Sequence, residues 1–174
     1  MSGPVFMEAD AVTFHPVEED DLDFLQMTIN HPDVREGIAS TQPVNAADER
    51  EWFESLGEDG VQFLLRVDGD RVGTISFRRF NEEWGTAELA YFLHPDHWGN
   101  GYATEAARRM VAYGFDERRL DKVWARVFAF NDASARVLET VGFEHEGTLC
   151  GQAFARGRRV DAERYGLLES EWEP

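Results

Sequence analysis

A short apolar run followed by a glycine-rich loop constrains the fold of this 174-residue chain more than any other feature. The segment Leu89–Leu93 is continuously apolar, which is typical of a strand buried on both faces. Gly99 and Gly101 follow it, and a helical pattern then runs over residues 101–116. Glycines let a ligand approach the backbone closely, and the free N–H groups of a helix's first turn favour an anion. The segment therefore predicts a phosphate-binding cradle between a strand and a helix.

The remaining patterns predict a single domain, residues 1–174, because no repeat, low-complexity tract or linker divides the chain. From the apolar spacing we predict strands at 11–16, 61–67, 71–80, 86–93, 122–128, 143–154 and 160–168, and helices at 18–29, 46–56, 101–116 and 131–141. The order is β-α-α-β-β-β-α-β-α-β-β, an antiparallel meander followed by strand–helix–strand crossovers. The fold class is thus α/β of the α+β type, a mixed, mostly antiparallel central sheet of about seven strands with about four helices.

The charge distribution disfavours two classes of partner. The chain has 34 acidic and 17 basic side chains, a net charge of −17, and residues 1–60 hold 15 acidic and 2 basic ones. Such a surface repels nucleic-acid phosphates and anionic lipid, so we expect neither nucleic acid nor membrane as a partner. Lys122 is the only lysine beside 16 arginines. A heavily acidic, lysine-poor surface resembles those of halophilic proteins, and an acidic mesophilic enzyme is the alternative.

The cysteine content and the N-terminus bear on compartment and metal binding. A single cysteine, Cys150, excludes an internal disulfide and a Cys-rich zinc site, and we expect it to be a buried small apolar side chain. The N-terminus has neither the basic region nor the apolar core of a secretory signal, so we expect a cytoplasmic protein. His94 and His97 are three residues apart, but Pro95 and the loop context disfavour zinc, and we expect no metal.

Three other phosphate-binding loops are inconsistent with the glycine-rich segment. The P-loop requires a lysine after its last glycine, and none follows Gly101. A dinucleotide fingerprint requires a third small residue where Thr104 stands, and a parallel unit where this chain ends an antiparallel meander. A protein kinase requires a longer chain with further motifs.

Two segments resemble, in order and separation, the motifs of the GCN5-related N-acetyltransferase (GNAT) family. The first, residues 86–116, is similar to the family's acetyl-CoA motif through Ala87–Leu93 and the stretch Trp98-Gly99-Asn100-Gly101-Tyr102-Ala103-Thr104-Glu105-Ala106. The second, residues 131–143, follows the pattern N-x-x-S-x-x-x-x-E-x-x-G-F. The segments 14–22 and 165–172 also resemble the branch that acetylates N-termini of ribosomal proteins, the ribosomal-protein-alanine N-acetyltransferases. The wider family usually has Gln or Arg where this chain has Trp98.

The resemblance implies that acetyl-CoA binds, as co-substrate, where the strand at 86–93 splays from the strand at 122–128. The backbone of Tyr91, Phe92 and Leu93 would pair with the pantetheine amides, and an N–H near Phe92 would stabilise the oxyanion. The pyrophosphate would be held by backbone N–H groups of Trp98, Gly99, Asn100, Gly101, Tyr102, Ala103 and Thr104. Asn131 would hydrogen-bond the pantetheine, and no metal would take part.

The resemblance also implies two groups for proton transfer. Glu88 stands where many relatives carry a general base, often acting through water, and Ser134 matches a residue suggested to protonate the departing sulfur. We therefore hypothesise that Glu88 is the base and Ser134 the acid. Other roles remain open: Glu88 as a solvated strand residue, Ser134 as a capping or packing residue, and Asn131 as a helix N-cap.

The expected reaction is transfer of an acetyl group from acetyl-CoA to a primary amine, with a protein N-terminal α-amine as the leading acceptor. Deprotonation at pH 7 costs about 1 kcal/mol for an α-amine and about 4.6 kcal/mol for a lysine-type amine. The acidic N-terminal third would also attract aminoglycosides and polyamines, and a non-catalytic acyl-CoA-binding regulator is a further alternative. We expect Trp52, Phe53, Trp84 and the turn 156–159 to shape the acceptor groove, in a monomer or a homodimer.

Overall fold

One eight-stranded sheet organises this computed structural model, which describes residues 3–174. The strands are β1 (Met7–Glu8), β2 (Val12–Pro16), β3 (Gly60–Val67), β4 (Asp70–Asn81), β5 (Thr86–Leu93), β6 (Lys122–Phe128), β7 (Glu144–Ala155) and β8 (Arg158–Leu168). Their spatial order is β1-β2-β3-β4-β5-β6-β8-β7. Neighbouring strands are antiparallel except β5 and β6, which are parallel.

Five α-helices accompany the sheet in the described part of the chain: α1 (Leu22–Asn30), α2 (Pro32–Gly37), α3 (Ala46–Glu54), α4 (Tyr102–Asp116) and α5 (Asp132–Val141). Short 3₁₀ turns lie at Glu19–Asp21, Pro95–His97 and Glu169–Glu171. The predicted α/β class and mixed sheet are confirmed, and each predicted strand is present with ends that differ by no more than two residues. The prediction missed β1 and α2, and the predicted helix at 18–29 is a 3₁₀ turn followed by α1.

Both faces of the sheet are covered, as the alternation of β3 illustrates. Phe63 and Leu64 point to opposite faces, and both are buried. On one face the Phe63 ring lies 5.7 Å from the ring of Tyr113 in α4, in an edge-to-face arrangement. The main apolar core lies on this face, under α4 and α5. On the other face of the sheet, α1 packs against β4, and it also contacts α2 and α3.

Three further observations concern expectations from the sequence. Cys150 is exposed on β7, which is an edge strand, so the expectation of a buried side chain is wrong. Across residues 3–174 the structure has no helix with the length and apolar character required to span a bilayer. Within the same residues, no cluster of three or more His, Cys, Asp or Glu side chains is suited to metal binding.

Candidate functional site

A cavity opens between β5 and β6 where the two strands diverge. Their parallel pairing runs from Thr86 and Lys122 only to Glu88 and Trp124, and the two strands then diverge. Beyond Glu88 the edge of β5 that faces away from β4 has no strand partner among residues 3–174, so alternate residues direct backbone N–H and C=O groups into the gap. A cavity of about 630 Å³ lies there. It is lined by Asp33, Val34, Glu36, Gly37, Ile38, Tyr91, Phe92, Leu93, His97, Trp98, Gly99, Gly101, Tyr102, Ala103, Thr104, Phe130, Asn131, Ala133, Ser134, Val137 and Arg156.

The glycine-rich loop holds its shape through positive φ angles and internal hydrogen bonds. Gly99 and Gly101 have φ angles of 77° and 81°, a left-handed conformation that other residues adopt at a cost. The Trp98 indole N–H donates to the carbonyl of Leu93 at 2.9 Å, which ties the loop to the end of β5. The Asn100 side chain donates to the carbonyls of His97 and Trp98, both at 3.2 Å, so its amide stabilises the loop itself.

The first turn of α4 presents unpaired backbone donors to this cavity. The helix begins at Tyr102 with Gly101 as its N-cap, and the first intrahelical bond to Gly101 comes from the N–H of Glu105. The N–H groups of Tyr102, Ala103 and Thr104 precede that bond, and all three residues line the cavity. Because such donors and the helix dipole favour negative charge, the residues present fit a pyrophosphate.

Ser134 and Tyr91 form a hydrogen-bonded pair in the wall of the cavity. The Tyr91 hydroxyl lies 2.9 Å from Ser134 Oγ, and both residues are half-buried. Burial raises the pKa of the Tyr91 hydroxyl from 10.0 to about 12, and the hydrogen bond with Ser134 partly opposes this. The tyrosine is therefore neutral in any ordinary assay and keeps a proton to donate.

Asn131 connects α5 to α2. Its Oδ1 accepts a hydrogen bond from the N–H of Ser134 at 3.2 Å, so Asn131 is the N-cap of α5, one of the open alternatives. Its Nδ2 donates to the carbonyl of Gly37 at 3.4 Å, and the residue also lines the cavity. These two bonds use the amide oxygen and one hydrogen of the NH₂ group. The other hydrogen of Nδ2 is left for contact with a pantetheine arm, so that contact is compatible with the capping role.

Two of the predicted site residues, Glu88 and Asn100, are not in the cavity wall; Asn100 is exposed in the loop, whereas Glu88 is buried. Its side chain is 1% exposed and is not part of the cavity wall. One oxygen lies 3.1 Å from Nε of Arg78 and 3.0 Å from Nε of Arg79, and the other lies 2.9 Å from Nε of Arg126. A carboxylate with three guanidinium partners has no free oxygen directed at an amine in the cavity. Direct proton abstraction by Glu88 is not supported by this geometry, and action through water stays a prediction.

A charged rim borders the cavity, and of its residues only Arg156 was expected from the sequence. Asp33 and Glu36 of α2 line it, and Arg156 of the β7–β8 turn forms an ion pair with Glu36. The Arg156 guanidinium also lies 4.5 Å from the centre of the Phe130 ring, a cation–π contact. The pattern His31-Pro32-Asp33, a proline followed by an acidic first turn, is a helix start signal that identifies α2.

The residues expected to shape the acceptor groove are only partly brought together. Arg156, in the predicted turn, does line the cavity, whereas Trp52, Phe53 and Trp84 do not. Trp52 and Phe53 lie on α3, and Trp84 is 70% exposed in the turn between β4 and β5. These three aromatic residues are therefore not part of this cavity, and their contribution to an acceptor groove stays a prediction.

Comparison with known proteins agrees with this geometry. The family profile described as "Acetyltransferase (GNAT) domain" matches residues 11–144. The uncharacterized N-acetyltransferase p20 of Bacillus licheniformis is 26% identical over 170 residues, which cover 94% of this chain and 96% of p20. The putative ribosomal N-acetyltransferase YdaF of Bacillus subtilis is 31% identical over 124 residues, 71% of this chain and 68% of YdaF.

Polyamine-acetylating enzymes are also among the similar proteins. The spermidine N(1)-acetyltransferase of Escherichia coli K12 is 25% identical over 180 aligned residues, 94% of this chain and 89% of that enzyme. The crystal structure of spermidine N-acetyltransferase from Vibrio cholerae in complex with CoA and spermine superimposes with a TM-score of 0.85. That alignment has 24% identity and covers 92% of this chain and 97% of the other, so it supports the fold.

Proposed function

Because this chain belongs to the GNAT acetyltransferase family, and is an N-acetyltransferase that takes acetyl groups from acetyl-CoA, we propose that its acceptor is a small polycationic amine. The observation that carries the proposal is the pair of carboxylates, Asp33 and Glu36, in the wall of the cavity that also contains Ser134. A polyamine has a second cationic nitrogen that such carboxylates bind while the first nitrogen reacts. Carboxylate–ammonium hydrogen bonds are charge-assisted and therefore stronger than neutral ones.

The two carboxylates differ in their present partners. Glu36 is paired with Arg156, whereas Asp33 forms no ion pair within residues 3–174. The Glu36 and Arg156 side chains are 44% and 47% exposed, so water already screens their attraction. A polyamine nitrogen would displace Arg156 from Glu36 at modest cost. The similarity to spermidine N(1)-acetyltransferases over 94% of the chain supports this choice of acceptor.

A protein N-terminal α-amine is the second candidate acceptor. It is favoured by the similarity to the putative ribosomal N-acetyltransferase and by the lower cost of deprotonating an α-amine, about 1 kcal/mol against about 4.6 kcal/mol at pH 7. The α-amine reacts in its neutral form, and a peptide N-terminus has no second cationic nitrogen beside it, so the acidic pair gives it little advantage. The two acceptors therefore differ in how strongly they depend on Asp33 and Glu36.

The donor side of the site follows from the same family membership. In this proposal the backbone of Tyr91, Phe92 and Leu93 binds the pantetheine arm along the open edge of β5. The N–H groups from Trp98 to Thr104 bind the pyrophosphate, and Asn131 contacts the pantetheine from the start of α5. Ser134 gives a proton to the departing sulfur, and the acceptor amine loses its proton to water, with Glu88 acting through water as the alternative base.

A thiol-release assay with a panel of amines tests the proposal. The panel contains spermidine, spermine, an aminoglycoside and a peptide with N-terminal alanine, each with acetyl-CoA. We expect the polyamines to give the highest kcat/KM. The double variant D33N/E36Q should raise KM for spermidine at least about tenfold, since two charge-assisted hydrogen bonds are weakened, and leave KM for acetyl-CoA within about twofold.

A matched control removes two charges elsewhere. Glu58 and Asp59 are exposed and lie outside the cavity, so E58Q/D59N changes the net charge by the same amount. If both double variants raise KM for spermidine equally, the acidic pair acts only through long-range attraction, and the proposed acceptor site is wrong. A peptide N-terminus that reacts faster than every polyamine would establish the second candidate instead.

A further inference from the structure

The side chain of Tyr91 has a contact that its expected backbone role does not explain. Its ring packs against the main apolar core, and its hydroxyl reaches across the cavity wall to α5. There it lies 2.9 Å from Ser134 Oγ and 3.5 Å from the Ser134 carbonyl oxygen. Tyr91 is the one side chain hydrogen-bonded to Ser134 Oγ within residues 3–174.

The surroundings fix the geometry of this pair. The N–H of Ser134 is held by Asn131 Oδ1 at 3.2 Å, which sets the first turn of α5 relative to the cavity. Tyr91 lies on β5, whose pairing with β4 places it opposite Ile75. The two hydroxyls thus come from a paired strand and a capped helix, two elements whose backbones are held in place. Their separation of 2.9 Å is within the normal range of a hydrogen bond.

Two hydrogen-bond directions are available to the pair, and they have different consequences. If the serine donated to Tyr91, its only proton would be engaged and would not point at a leaving group. If the tyrosine donates, Ser134 Oγ accepts, and the serine proton remains free to point into the cavity. The tyrosine is neutral because burial raises its pKa to about 12, so it keeps the proton that the second direction requires.

We propose that Tyr91 is a positioning residue, whose O–H donates to Ser134 Oγ and thereby directs the Ser134 proton toward the departing sulfur. This inference rests on the proposed function. In the step concerned, the neutral amine forms a C–N bond to the acetyl carbon as the C–S bond breaks. The Ser134 proton passes to the thiolate, the proton lost by the amine nitrogen passes to water, and water returns a proton to the serine.

Kinetics of four variants test the role of Tyr91: Y91F, S134A, the double variant Y91F/S134A, and Y113F as the control. Tyr113 is a buried tyrosine of α4 whose hydroxyl accepts a 3.4 Å hydrogen bond from Arg118, so Y113F also removes one hydroxyl. We expect Y91F to lower kcat about tenfold, the change that corresponds to one lost hydrogen bond, with KM for acetyl-CoA within about twofold. S134A should lower kcat at least about 100-fold.

The double variant separates positioning from a general packing effect. If Tyr91 acts through Ser134, Y91F has no further effect once Ser134 is alanine, and the double variant equals S134A within about twofold. An independent, multiplicative effect would overturn the inference, as would a Y91F enzyme with wild-type kcat. A raised KM for acetyl-CoA with unchanged kcat would also overturn it, because Tyr91 would then be a cavity wall. Absence of thiol release by the wild-type enzyme with every amine would instead refute the proposed function.

Discussion

Replacing Glu88 by glutamine distinguishes a structural from a catalytic role for this buried carboxylate. Glutamine keeps the size and one carbonyl oxygen, but it removes the negative charge and places an NH₂ group near guanidinium donors. The three Nε–oxygen contacts, at 3.1, 3.0 and 2.9 Å, join β5 to β4 and to β6. They lie beside the last residue pair of the β5–β6 pairing, Glu88 and Trp124. The substitution therefore weakens the point at which the two strands are joined.

The exposure of the partners sets the magnitude. Removing one member of a fully buried ion pair costs about 3–5 kcal/mol. The Arg78, Arg79 and Arg126 side chains are 51%, 55% and 26% exposed, so water solvates their charges once the carboxylate is gone. We therefore expect a lower loss, about 2–3 kcal/mol of unfolding free energy. For a protein of this size that corresponds to a decrease in Tm of about 4–12 °C.

The assay combines thermal unfolding with steady-state thiol release, measured well below both Tm values. We expect E88Q to unfold at the lower temperature and to keep kcat within about threefold of the wild type. The control is E146Q, because Glu146 pairs with Lys122 and Arg164 at the surface, with 33% of its side chain exposed. It should cost less than about 1 kcal/mol. An E88Q enzyme with an unchanged Tm and a kcat reduced about 100-fold would refute this reasoning and establish Glu88 as the base.

Three further predictions follow from the loop, the acceptor and the charge. The G101A variant should have a Tm lower by about 2–8 °C and a raised KM for acetyl-CoA, because the φ of 81° at Gly101 is strained for alanine. The control is G69A, at φ 87° in the β3–β4 turn, which should lower Tm similarly and leave the KM for acetyl-CoA unchanged. If water removes the acceptor proton, kcat/KM for spermidine should rise about tenfold per pH unit from about pH 6.5 to 8.5, because only the neutral amine attacks. A plateau in kcat/KM above an apparent pKa near 7 would instead indicate that a group of the enzyme is the base. Because the net charge is −17, Tm should rise as KCl is raised from about 0.1 M to about 2 M, and a Tm that falls would contradict adaptation to salt.

Local patterns were sufficient to predict most of the elements. The strand β5 and the strand β6 have the predicted bounds, because each is a compact apolar run with clear turn signals on both sides. The two-residue strand β1 was missed because two residues carry no periodicity. The helix α2 was missed for a similar reason, since six residues make fewer than two turns. That omission mattered for the site, because α2 contributes Asp33 and Glu36.

Contacts between distant segments explain what the sequence did not reveal about the site. The position of Glu88 on a strand was predictable, but its partners come from β4 and from β6, and Arg126 is 38 residues away. Arg79 reaches the carboxylate from an irregular part of β4, where the pairing with β5 shifts register and φ is 54°. The contact between Tyr91 and Ser134 spans 43 residues. Local sequence patterns do not predict such long-range contacts, because these contacts depend on how strands and helices pack.

The early end of the β5–β6 pairing also has a mechanical consequence. Within residues 3–174, the strand pairing between the five-strand half of the sheet, β1 to β5, and the three-strand half, β6 to β8, has only three residue pairs. A molecule bound in the gap would contact the backbone of β5 in one half and α5 in the other half, and would thus link the two halves of the sheet. Occupancy should slow amide hydrogen exchange in both halves together, so that donor binding and rigidity of the whole protein rise in step.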